Sequence, residues 1–286
     1  MVILWAAALC LMATSVQAER PTSLTGLGEA ALADRFPERA VWLALEDESR
    51  ALGLFQPETK TPAKAVLLVL ADEGQSAAQS LQGELLSALA ERRVAVMSLG
   101  VPAPPESLRQ RRAQRPKAES AEGAEDDANP ESAQTGSVMI DLAADDDPGQ
   151  AAANHRDRIL ATLNAAAAEL QARGYEGIAV AGMGWSAGYA TDWALAQGDT
   201  AGLIWIAGRF PGGQSGALAE QLAGARDWGV LDLQDRQADG SSVDRASAMA
   251  RAEVPRYQWQ AVPVDSWAEP VSADRLASRI SAWISP

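Results

Sequence analysis

The stretch Ile178-Ala179-Val180-Ala181-Gly182-Met183-Gly184-Trp185-Ser186-Ala187-Gly188 decides the fold. Its first six residues form a short, almost wholly apolar run, which reads as a strand covered on both faces. Tyr189 to Leu195 continues as a helix. Between the two, Gly184-Trp185-Ser186-Ala187-Gly188 matches the glycine-x-serine-x-glycine pattern, in which a strand turns into a helix at one sharp corner and displays a serine hydroxyl above the sheet edge. The small residues at 184 and 188 permit that corner. The helix start offers free backbone N–H groups to a developing oxyanion, with Ala187 as a candidate donor. Ser186 is the candidate nucleophile. The plainer reading is a tight turn in which Ser186 caps the helix by bonding to Tyr189 or Ala190.

Outward from this segment, strands and helices alternate. Upstream lie strands Val41 to Leu45, Ala51 to Gln56, Ala65 to Leu70 and Val94 to Leu99, with a helical stretch from Ala77 to Arg92. A helix from about Ala151 to Arg173 carries Ile159, Leu160, Leu163, Ala167 and Leu170 on one face, and Gly174 is its stop signal. Downstream come strand Gly202 to Ala207, helix Ala217 to Ala225, strand Gly229 to Leu233, helix Arg245 to Ala252, strand Tyr257 to Val262 and helix Ala273 to Ile284. Such alternation predicts an α/β fold with a mostly parallel sheet and helices on both faces. One domain over residues 19–286 is expected.

Two segments stand outside that pattern. Met1 to Ala18 is apolar, carries no charged side chain and ends in Val16-Gln17-Ala18, which reads as a signal peptide cut after Ala18 and predicts a periplasmic protein without a membrane span after processing. The only cysteine, Cys10, would leave with it. Glu106 to Gly136 has arginines and Lys117 first and acids afterwards, with little to bury, and reads as a disordered or weakly helical surface insertion. A net charge of -14 argues against a nucleic-acid partner, because phosphates repel an acidic surface. Asp145-Asp146-Asp147 reads as a solvated loop and not a metal site. No phosphate-cradling loop, dinucleotide fingerprint or zinc spacing is present, so no cofactor is expected.

A serine at such a corner needs a base, usually a histidine oriented by a carboxylate. The strand Gly229 to Leu233 leads to Asp232, Asp235 and Asp239, of which Asp235 is the candidate acid. The histidine should follow the last strand, yet Val262-Pro263-Val264-Asp265-Ser266-Trp267 holds none. The sole histidine, His155, opens the long helix before the corner strand, near the same sheet edge, and is the remaining candidate base. Trp185 and Trp267 are candidate walls of an apolar pocket there.

On Ala65 to Gln75, Ile178 to Gly188 and Gly229 to Leu233, the chain resembles domain-of-unknown-function family 3530, a secreted proteobacterial branch of the α/β-hydrolase superfamily. The family pattern ends its first segment in His-Gly, an acidic residue, Gly and Gln. Here Glu73-Gly74-Gln75 fits, whereas Ala71-Asp72 replaces His-Gly and sets a carboxylate beside the expected oxyanion site, where the Asp72 backbone is the second candidate donor. The resemblance implies an α/β-hydrolase-like fold and assigns no activity.

The first functional expectation is a non-catalytic or weakly catalytic binding or accessory protein, taking a small apolar ligand or an envelope protein. The second is an active serine esterase-like hydrolase using Ser186. A third makes the charged insertion the interacting element.

Overall fold

The computed structural model describes residues 27–78, 81–114, 147–197, 200–224, 228–235, 240–262 and 271–284. The chain forms α1 (Glu29–Arg35), β1 (Ala40–Ala44), β2 (Arg50–Gln56), β3 (Ala65–Glu73), α2 (Leu81–Glu91), β4 (Val94–Val101), α3 (Glu106–Gln114) and α4 (Pro148–Ala172). The second half follows as β5 (Ile178–Met183), α5 (Ser186–Gln197), β6 (Gly202–Ile206), α6 (Ser215–Ala223), β7 (Val230–Asp235), α7 (Gly240–Arg251), β8 (Tyr257–Val262) and α8 (Val271–Ile284). Eight strands make one sheet in the order β1-β2-β4-β3-β5-β6-β7-β8. Pairings β1/β2 and β2/β4 are antiparallel and the remaining five are parallel, which bears out the expected mostly parallel sheet.

The central strands are buried on both faces, which is why they read as continuous apolar runs and not as alternating ones. On one face Leu85, Leu86 and Leu89 of α2 pack with Leu276, Ala277 and Ile280 of α8. On the other, Ile159, Leu163 and Leu170 of α4 share a core with Trp193 of α5 and with Trp205 of β6. The long helix α4 starts three residues earlier than its apolar face suggests. Asp147 caps it by accepting from Gly149 N at 3.1 Å, and Pro148 occupies the first turn, where a missing N–H costs nothing. Gly174, at φ 89°, ends it as expected.

The segment Glu106 to Gly136 divides. Its first nine residues form α3, where the sequence reading expected disorder or weak helix, and charged contacts hold that helix against the fold. Arg112 donates to the Glu73 carboxylate, and Arg111 Nη2 donates to Pro148 O at 3.0 Å. Residues 115–146 lie outside the described residues, as do the signal-peptide segment, Asp145, Asp146, Asp239 and Trp267. Among the described residues no helix is long and apolar enough to cross a membrane.

Candidate functional site

Sheet register brings the site together. Leu70 of β3 pairs with Gly182 of β5, so two residues further along each strand Asp72 and Gly184 emerge side by side at the carboxyl edge. Between Leu70 and Glu73 the β3/β4 register slips, three steps on β3 matching two on β4. Irregularities of this kind re-aim a side chain at a strand end. The Asp72 carboxylate is directed over the corner between β5 and α5.

That corner lies two residues before the serine around which the sequence reading built it. The left-handed residue is Gly184, at φ 54°, and α5 already begins at Ser186. Gly182, not Gly184, is the glycine required by close approach of strand and helix: a Cβ there would stand 2.5 Å from Ser186 O and 2.6 Å from Ala187 Cα. The operative five residues are therefore Gly182-Met183-Gly184-Trp185-Ser186, with a glycine at the corner where the pattern displays its nucleophile. Ser186 is wholly buried, and its Oγ has no hydrogen-bond partner among the described residues. The Ala187 N–H, the expected oxyanion donor, bonds to Gly184 O at 3.3 Å within the turn.

Two other N–H groups take the place of that donor pair. Trp185 N and Glu73 N each donate to Asp72 Oδ1 at 2.9 Å. One is the residue after the corner and the other lies at the end of β3, the two positions from which an α/β hydrolase draws its oxyanion hole. Arg209, which follows β6, donates to Asp72 Oδ2 at 2.7 Å, and its own N–H reaches Gly184 O at 2.9 Å. The protein thus holds its own carboxylate where an oxyanion hole would hold a substrate's oxygen. Asp72 was expected to contribute a backbone donor; it contributes the acceptor.

His155 lies beside a second carboxylate. It is buried, its ring meets Tyr189 edge-on at 5.8 Å between centroids, and Nε2 stands 3.8 Å from Glu73 Oε1, beyond hydrogen-bond range. Glu73 is held by Arg112 and by the Tyr189 hydroxyl, which donates at 2.6 Å. Burial alone would raise the Glu73 carboxyl, but His155, Arg112 and Tyr189 outweigh it and hold it down at about 2. Burial and the same carboxylate push the Tyr189 hydroxyl well above its usual range. Arg112 in turn stacks over the Trp185 ring at 4.2 Å.

The candidate acids divide as well. Asp232 is fully buried inside β7, where Arg245, Tyr257 and Gln234 all donate to it, an arrangement that ties α7 and β8 to the sheet. Asp235 is the last residue of β7, paired with Val262 of β8. Cavities of about 570 and 370 Å³ flank Trp185. Trp185, a candidate pocket wall, lines both. Arg112, shared by the two, and Arg209 were not foreseen, because each meets its carboxylate across a distant part of the chain.

The sheet order and its covering helices give this chain an α/β-hydrolase-like fold. Among solved structures, the esterase domain of a Rhodothermus marinus protein is 10% identical and superposes with a TM-score of 0.53, over 85% of this chain and 96% of that one. Dienelactone hydrolase from Anabaena variabilis is 13% identical, with a TM-score of 0.52 over 85% and 94%. An esterase from Pyrococcus furiosus is 9% identical, with a TM-score of 0.54 over 86% and 89%. At such identities the likeness is one of fold. A search of curated protein sequences returned no match. Residues 12–286 match the family described as protein of unknown function (DUF3530), and the chain belongs to that family.

Proposed function

We propose that this chain is a periplasmic, non-hydrolytic member of the α/β-hydrolase class that binds a small ligand at the carboxyl edge of its sheet. The observation that carries this reading is the Asp72 carboxylate, which accepts the Trp185 and Glu73 N–H groups over a corner residue, Gly184, that has no side chain. Acyl transfer needs a displayed nucleophile, a base bonded to it and vacant donors for the oxyanion. Ser186 is buried in the first turn of α5 without a partner, and the donor pair is already bonded. The export half of the proposal draws on the apolar segment Met1 to Ala18.

The test is turnover of a panel of aryl esters of graded acyl length by the purified protein and its Ser186→Ala variant. The reading expects no hydrolysis above the buffer rate that depends on Ser186. Turnover in the wild type that disappears in Ser186→Ala would instead establish the serine esterase-like reading.

A further inference from the structure

The larger cavity lies between α3 and the loop after β6. Leu108, Trp185 and Pro211 supply its apolar walls, and Arg111, Arg112 and Gln214 its polar ones. A volume of about 570 Å³ falls within the range of small-molecule sites, roughly 300–1,000 Å³. The charges around the two cavities are accounted for one by one. Arg112 is paired with Glu73, Arg109 with Glu106 and Arg209 with Asp72. Arg111 is different. Among the described residues it makes a single hydrogen bond, from Nη2 to the Pro148 carbonyl, and no carboxylate pairs with it. A guanidinium has five N–H donors, so this one bond leaves most of the capacity of a residue that lines the cavity uncommitted among the described residues.

A cationic group without an acid partner among the described residues, set at the rim of a largely apolar cavity in a chain of net charge -14, selects for one kind of guest. The geometry points to binding of a small organic anion, an aryl or acyl body carrying one carboxylate. The body lies against Leu108, Trp185 and Pro211, and the carboxylate pairs with Arg111, whose planar fork matches it. The ligand is bound and not turned over, so this inference rests on the non-hydrolytic reading above. Arg111 is exposed and has no part in holding the corner; its bond to Pro148 O helps seat α3, which Arg112 still ties to Glu73 when Arg111 is replaced.

The experiment is isothermal titration of the purified protein with 2-naphthoate and with its neutral counterpart 2-naphthamide, repeated on Arg111→Gln. The expected result is saturable one-to-one binding of naphthoate, weaker binding of the amide by about tenfold, and loss of that preference in Arg111→Gln. Added salt should weaken naphthoate more than amide, because the pair lies at the surface. Equal affinity for the two compounds, an undiminished preference in Arg111→Gln, or no saturation at millimolar naphthoate would each overturn the inference. Turnover of 2-naphthyl acetate by the same samples is read separately. If it depends on Ser186, the non-hydrolytic reading fails whatever the titrations give.

Discussion

Gly184→Ala perturbs the site most sharply. A Cβ on residue 184 would stand 2.3 to 2.4 Å from the carboxylate atoms of Asp72, and the backbone there is left-handed. The left-handed conformation costs a non-glycine residue about 1–2 kcal/mol. Displacing Asp72 leaves the Trp185 and Glu73 N–H groups without their acceptor, about 1–3 kcal/mol for the two together, because both bonds are only part-buried. The Arg209 pair adds little, since that side chain is 58% exposed. The total is roughly 2–5 kcal/mol, a large share of a typical stability of about 5–15 kcal/mol. In thermal unfolding this amounts to a fall of roughly 4 to 20 °C. Asp72→Ala alone should cost about 1–3 kcal/mol for the lost acceptor. In the double variant the clash is gone, so its loss should be smaller than the sum of the single losses by about 1–3 kcal/mol. Urea unfolding of the four proteins measures this coupling. Additivity within about 0.5 kcal/mol would refute the claim that the Asp72 carboxylate sits in the space of the corner side chain.

Three further outcomes follow from the same geometry. Ser186→Ala removes a buried hydroxyl without a partner, so urea unfolding should show unchanged or slightly raised stability, by up to about 1 kcal/mol; a loss above that would show the hydroxyl engaged. The Glu73 carboxyl is depressed from 4.5 to about 2, so the unfolded chain binds the extra proton between those values. Its contribution, on the order of 3 kcal/mol, is present above about pH 4.5 and lost as pH falls toward 2. Unfolding of wild type and Glu73→Gln across that window should therefore converge at low pH, and parallel curves would contradict the assignment. Arg112→Met leaves Glu73 buried with Tyr189 as its remaining donor, which should cost about 2–4 kcal/mol and raise amide hydrogen exchange in α3. Unchanged exchange there would show that α3 is held by something else.

The strands were legible because burial on both faces writes itself as unbroken apolar runs: β8 was read at its observed ends, and β3 and β5 nearly so. The corner was misplaced for a specific reason. Gly182, Gly184 and Gly188 allow two overlapping five-residue readings, and the serine at 186 favours the one with a familiar nucleophile. A signal for the other was available: only a glycine takes the left-handed corner without cost, and a small residue is needed two positions before it, where Gly182 stands. Helix α3 was left open between disorder and weak helix because Glu106–Gln114 has almost no apolar face; Arg112 holds it to a carboxylate 39 residues away. The Arg209–Asp72 pair spans 137 residues, and no local pattern announces such a contact. His155 was read as a candidate base able to approach Ser186 from the carboxyl edge; the carboxylate beside it is Glu73.

The central claim, that this edge is closed by its own carboxylate and presents no activated serine, is tested most directly by a fluorophosphonate probe followed by peptide mass spectrometry. Wild type and Ser186→Ala would be labelled alongside an active esterase. The account predicts no adduct on Ser186 in the folded protein under conditions that label the control fully. An adduct on Ser186, absent from the alanine variant, would contradict it.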